Sequence, residues 1–126
     1  MVRIKNWLQT CPQMGKVQLD RTPRMGGCGM YPRGTTELWQ RQDVAGNTHI
    51  RCRDRYELET LRQDMLEENA QWLQSLSEWV REQSISGKTP VFGEQQQIRF
   101  TAGRMEKAPA PGMSRYSGEL IVEYTL

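Results

Sequence analysis

The chain predicts an α+β fold, with one mixed or antiparallel sheet of four to five strands and two helices packed on one face, as a single domain over residues 1–126. Three observations lead there. A helical stripe of apolar residues around Leu76 is flanked on both sides by segments in which apolar and polar residues alternate. Loops rich in Gly and Pro separate these segments. The length of 126 residues suits one hydrophobic core.

The elements follow in order. Ile4, Trp7, Leu8 and Cys11 repeat at helical spacing, and Pro12 ends the run, which predicts a short amphipathic helix anchored in the core by Trp7 and Leu8. Residues 13–34 are rich in Gly, Pro and Arg, with Gly26, Gly27 and Gly29 as interruptions. They leave room for one short strand near Cys28 to Tyr31. Two strands, Thr36–Gln42 and Thr48–Tyr56, flank Asp43–Asn47, a hairpin signal. A turn on Ala45-Gly46 puts Trp39, Ile50 and Cys52 on one face and Leu38, Gln40, Arg51 and Arg53 on the other.

The next helix is the strongest element. Thr60 to Gln63 has the form of a capping box, and Leu61, Met65, Trp72, Leu76, Trp79 and Val80 form one stripe, with Glu67, Glu78 and Arg81 away from it. Trp72, Leu76 and Trp79 are therefore core residues. Gly87 and then Pro90 close the helix. The polar step at Glu68–Asn69 leaves open a single long helix or a loop followed by a helix from about Asn69. The last third reads as a second hairpin. Ile98, Phe100 and Ala102 alternate with polar residues, and Ala108 to Gly112 forms the loop. Tyr116, Gly118, Leu120, Val122 and Tyr124 then alternate with Ser117, Glu119, Glu123 and Thr125, which buries Leu120 and Val122; Ile121 is the exception.

Composition narrows the function classes. Hydrophobic residues make up 37% and charged residues 25%, the profile of a polar globular protein. No apolar run approaches the roughly 18 residues of a membrane helix, so no membrane partner is expected. The opening residues lack the pattern of a signal peptide, which predicts a cytosolic site of synthesis. Cys11, Cys28 and Cys52 show no metal or disulfide spacing and read as small buried or half-buried thiols. A net charge of +2 is too weak to argue for nucleic acid. His49, the single histidine, stands beside a turn on a polar strand face. No nucleophile motif, metal motif or phosphate loop is present; Gly26 to Gly29 lacks the lysine and following helix of a phosphate cradle. The expectation is a non-enzymatic protein with no catalytic, cofactor-binding or metal residues.

One constellation stands apart. Arg51, Arg53 and Arg55 alternate along a strand and so project from one face. Like charges in such a row repel, unless Glu37 or Asp54 neutralises them or an acidic partner surface or phosphates approach. The Trp72, Leu76, Trp79 stripe and the Pro-rich loop 108–112 admit partner-binding readings, but a core face and a simple connection are the plainer ones.

The segments Ile4 to Pro12, Trp79 to Ser84 with Gly87 and Thr89-Pro90, and Ser114 to Tyr124 resemble, in order and spacing, a family of short phage proteins encoded among the minor capsid and tail genes of siphophages that infect Gram-positive bacteria. The resemblance spans Ile4 to Tyr124 and is weakest at 13–34 and 57–69. It implies a tail-terminator (tail completion) protein, also labelled minor capsid protein, similar to the lambda tail terminator. Such a subunit forms a homo-oligomeric ring, a hexamer, at the head-proximal end of the virion tail after assembly in the host cytoplasm. Its partners would be the tail tube protein and a head-completion or connector protein, with DNA passing through the ring unread. The antibiotic-resistance label that some members carry implies an acetyltransferase histidine, and His49 lacks the setting for one. A ring uses heterologous contacts, so Arg51, Arg53 and Arg55 on one side and Glu57, Glu59, Glu67 and Glu68 on the other are the candidate subunit or lumen interface. The alternatives are a head-closure or adaptor protein of the phage neck, and a small DNA-binding module using the arginine strand.

Overall fold

Seven elements follow one another in the computed structural model, which describes residues 2–14, 16–19, 27–63, 66–107 and 112–126. They are α1 (Val2–Leu8), β1 (Val17–Leu19), β2 (Cys28–Gln42), β3 (Thr48–Gln63), α2 (Leu66–Ile85), β4 (Glu94–Lys107) and β5 (Met113–Thr125). The strands form one mixed sheet in the order β1-β2-β3-β5-β4, with β1 parallel to β2 and the other neighbours antiparallel. This is the expected α+β architecture.

Alternation decides which side of the sheet is covered. Cys52, Tyr56, Leu58 and Thr60 of β3 are buried, as are Tyr116, Gly118, Leu120 and Val122 of β5 and Ile98 and Phe100 of β4. Cross-strand register places them on one face, with Tyr56 opposite Leu120, Leu58 opposite Gly118 and Phe100 opposite Leu120. Ile4, Trp7 and Leu8 of α1 and Leu76 and Val80 of α2 complete the same core. Trp72 and Trp79 pack against it half-buried. Trp79 stacks on Trp7 at 5.0 Å between ring centroids, and the Trp7 indole N–H donates to Gln83 Oε1 at 3.3 Å, which ties the helices together.

Several boundaries differ from the expectation. β1 was missing from it: three residues are too short a run to show a period, yet Val17 is fully buried and Cys28 N donates to Lys16 O at 3.0 Å. The two separate strands expected near Cys28 and Thr36 are one, β2. It passes Pro32 through a bulge in which Gly34 takes φ +94°, a conformation that favours glycine. Thr60 is no helix cap. It lies within β3, where its hydroxyl donates to Gly27 O at 2.8 Å. Leu61 also belongs to β3, and Met65 lies outside the described residues. The corner into α2 is held by Asn69, whose amide nitrogen donates to Gln63 O (2.8 Å) and Tyr116 Oη (3.0 Å) while its oxygen accepts from Arg62 Nε (2.8 Å). At its other end α2 closes as expected: Gly87 takes φ +68°, with Lys88 N donating to Gln83 O and Gly87 N to Ser84 O. Most of the expected Pro-rich loop, 108–111, lies outside the described residues.

The β2–β3 hairpin corrects the face assignment. Gly46 N donates to Asp43 O (3.0 Å), Asp43 N donates to Asn47 O (2.9 Å), and Gly46 sits at φ +85°. The loop is thus the three residues Val44–Gly46 instead of the two residues Ala45-Gly46. That moves the register by one, and a one-residue step exchanges the faces. Trp39 lies opposite Arg51 and Gln40 opposite Ile50, so Trp39 shares the arginine face and not that of Ile50 and Cys52.

Gly118 is a tight point of the core. A Cβ there would stand 2.5 Å from Phe100 Cζ and 2.7 Å from the Thr101 carbonyl. Gly118→Ala is expected to cost about 1–3 kcal/mol through overpacking, read as a lower denaturant midpoint; an unchanged midpoint would show that the Phe100 ring yields freely.

Candidate functional site

The sheet face opposite the helices carries the candidate site. β3 places Arg51, Arg53, Arg55, Glu57 and Glu59 there at every second residue, and β5 sets Thr125, Glu123, Ile121, Glu119 and Ser117 directly across from them. The expected arginine row therefore exists, and Glu57 and Glu59 extend it along the same strand. Glu67 and Glu68 stand elsewhere, exposed in the first turn of α2.

The arginines do not face empty water. Glu123 is shared by three of them: Arg53 Nε donates to its Oε1 at 2.9 Å, Arg99 Nη1 lies 3.5 Å from the same oxygen, and Arg51 Nη2 lies 3.9 Å from Oε2. Arg55 Nε donates to Glu119 Oε1 at 2.7 Å, and Arg33 Nε to Glu57 Oε2 at 2.8 Å. Arg51 and Glu123 keep only 12% and 13% of their side-chain exposure, so this part of the ladder is sheltered from screening. Arg51 also donates to Gln95 O (2.7 Å) and Thr125 Oγ1 (3.1 Å), bracing the start of β4, where Gln95 holds φ +49°. The neutralising partners are thus Glu119 and Glu123. Glu37 and Asp54, expected in that role, lie on the helix side: Glu37 opposite Cys52, and Asp54 accepting from Thr35 Oγ1 (2.6 Å) and Tyr124 Oη (3.1 Å).

Past the arginine row the face becomes concave. A depression of about 640 Å³ is bounded by Glu57, Glu59, Thr101, Gly103, Arg115 and Glu119. Arg115 Nε forms an ion pair with Glu59 Oε1 at 3.3 Å but is buried with no hydrogen-bond partner. Glu57 and Glu119 sit directly opposite each other, a like-charge pair made tolerable by Arg33 and Arg55 at its flanks.

Other sequence candidates fall elsewhere. His49 pairs with Asp43 across the hairpin loop at 3.0 Å, and this contact is the main reason the exposed Asp43 carboxyl is lowered below its usual range. All three cysteines are buried and free. Burial pushes the Cys28 thiol up to about 12 and raises that of Cys11, which suppresses thiolate chemistry. Among the described residues no group of His, Cys, Asp and Glu has the arrangement of a metal site.

Glu119, Glu123, Arg33, Arg99 and Arg115 were missed as site residues. The alternation of Glu119, Ile121 and Glu123 marks them as one face of a strand, but nothing local says that β5 pairs with β3. No family model and no curated protein matches the chain.

Glu123→Gln leaves three arginines without their shared acceptor and is expected to cost about 1–3 kcal/mol at low salt, a deficit that narrows at high salt; denaturant titration at two ionic strengths checks it. Burial, followed by the Asp54 charge, raises the Tyr124 phenol from its ordinary 10 to about 12. A proton held more tightly in the folded chain stabilises it fully below pH about 10 and ceases to do so as the pH rises through about 12. Stability should therefore fall across that window, and fall less in Tyr124→Phe.

Proposed function

We propose that this chain is a non-enzymatic structural subunit of a tailed-phage virion, forming a ring at the head-proximal end of the tail tube that ends tube growth and offers the docking surface for the filled head. One observation carries the reading. The three segments that resemble the siphophage family lie far apart in sequence and meet in space. The first supplies Trp7 and Leu8, the second Trp79, Val80 and Gln83, and the third Leu120 and Val122. A chance likeness has no reason to select one packed unit.

The charges fit a subunit contact better than a nucleic-acid surface. Among the described residues, the ion pairs of the uncovered face join six arginines (Arg33, Arg51, Arg53, Arg55, Arg99 and Arg115) to four glutamates (Glu57, Glu59, Glu119 and Glu123), a surplus of two positive charges. Duplex binding calls for a run of unneutralised Lys and Arg. A modest surplus suits the exposed Glu67 and Glu68 of a neighbouring subunit, a heterologous contact of the kind that closes rings. Tail tube and head-completion proteins are the partners above and below.

Electron microscopy of particles made without this chain tests the reading. Tails of abnormal length that never join heads are expected. Tails of normal length beside leaking heads would move the chain to the head side of the neck, and salt-dependent DNA binding by the purified protein would favour the nucleic-acid alternative.

A further inference from the structure

We infer that the outward stripe of α2 on a second copy of this chain docks on the uncovered sheet face, parallel to β3, with its Glu67 at the arginines around Glu123 and its Arg81 at the acidic depression. This contact rests on the ring reading and names the two patches that meet in it. The positive surplus of the face is not spread evenly. Arg33, Arg55 and Arg115 each have a glutamate of their own, in turn Glu57, Glu119 and Glu59, so the excess of two charges lies with Arg51, Arg53 and Arg99 around Glu123. Arg99 and Arg53 keep 50% and 36% of their side-chain exposure, so both can be reached from outside. Among the described residues Arg99 commits only Nη1 to a hydrogen bond, which leaves its other donors free. At the far end of the face the depression is lined by three glutamates, Glu57, Glu59 and Glu119, against one arginine, Arg115. The face is therefore positive at one end and lined with carboxylates at the other.

The outward side of α2 carries the complementary pattern. Glu67, Gln71, Gln74, Glu78, Arg81 and Glu82 recur at helical spacing away from the buried Leu76 and Val80, and all six are exposed. The first turn holds two carboxylates, Glu67 and Glu68, and Arg81 is the helix's one cation. Glu78 and Glu82 flank it, as Arg33 and Arg55 flank the carboxylates of the depression. The spacings agree as well. Glu67 to Arg81 spans about 21 Å along a helix, and Arg53 to Glu59 spans about 20 Å along a strand, so both ends engage together. Between them lies Ile121, the apolar residue that breaks the alternation of β5. It stands half-buried on the charged face, between Arg55 and Arg99, where the stems of Gln71 and Gln74 would cover it. A helix laid the other way would set Glu67 and Glu68 on Glu57, Glu59 and Glu119, like charge on like. The two patches lie on opposite layers, so each copy offers one and receives on the other, and the series ends where the rotation between copies closes a ring.

Mild oxidation of mixed single-cysteine variants of the full chain tests the contact, since the native cysteines are buried. Gln97 lies opposite Glu123 and Thr101 opposite Glu119, and both are exposed. At millimolar protein and low salt, Glu67→Cys should cross-link to Gln97→Cys, and Glu78→Cys to Thr101→Cys. The crossed mixtures, Glu67→Cys with Thr101→Cys and Glu78→Cys with Gln97→Cys, should give none. Adding Arg99→Glu to the Thr101→Cys chain should lower the yield of the second pair about tenfold, and adding Glu67→Arg to the Glu78→Cys chain should restore it. Absence of both expected cross-links overturns the inference, as do cross-links favouring the crossed mixtures or a yield that Arg99→Glu leaves unchanged. Tail length in particles made without the chain is read separately. Failed cross-links beside tails of abnormal length strike this contact alone, and tails of normal length strike the ring reading.

Discussion

The pairing of β3 with β5 is the constraint on which the rest of the molecule depends. It runs unbroken from Arg51 opposite Thr125 to Gln63 opposite Met113. On one face that register sets Tyr56 on Leu120 and Asp54 on Val122, the floor on which both helices pack. On the other it brings Arg53 onto Glu123 and leaves Glu119 within reach of Arg55. A slip of one residue in β3 would send the arginines under the helices, and one in β5 would send Leu120 into water. Apolar burial and charge pairing therefore specify the same register independently, and each guards against the error the other would tolerate.

Legibility in the sequence followed the range of the interactions. The end of α2 was readable because Gly87 and Pro90 act locally, and β5 because its alternation is long and clean. The end of β3 was misplaced at Tyr56 instead of Gln63: Tyr56, Leu58 and Thr60 keep a period of two, but the capping-box pattern at Thr60 competed with it, although Thr60 satisfies a carbonyl across the sheet. The hairpin register turned on one side chain. Asp43 Oδ1 accepts from both Ala45 N and Asn47 N, which supports a three-residue loop where Ala45-Gly46 alone suggested two. What no local signal carries is strand order. The arginine face was visible, but its partners Glu119 and Glu123 lie more than sixty residues away in the chain.

The two layers of the molecule have separate tasks in the proposed assembly. The inner side of the helices is consumed by the core, with Trp7, Trp79 and Leu76 facing inward. The opposite sheet face, the acidic depression and the β2–β3 ribbon remain for contact with other chains. Their polarity is what a surface needs if it must stay soluble before assembly and still recognise a partner afterwards: charged rows set register and exclude wrong partners more than they add affinity.

Amide hydrogen exchange on the free protein tests the dependence on β3–β5 most directly. Amides of Tyr56 to Thr60 and Tyr116 to Val122 should exchange slowest and only through global unfolding, because they sit between paired strands beneath both helices. Slowest exchange in α2 instead, with β3 and β5 opening before it, would contradict the account.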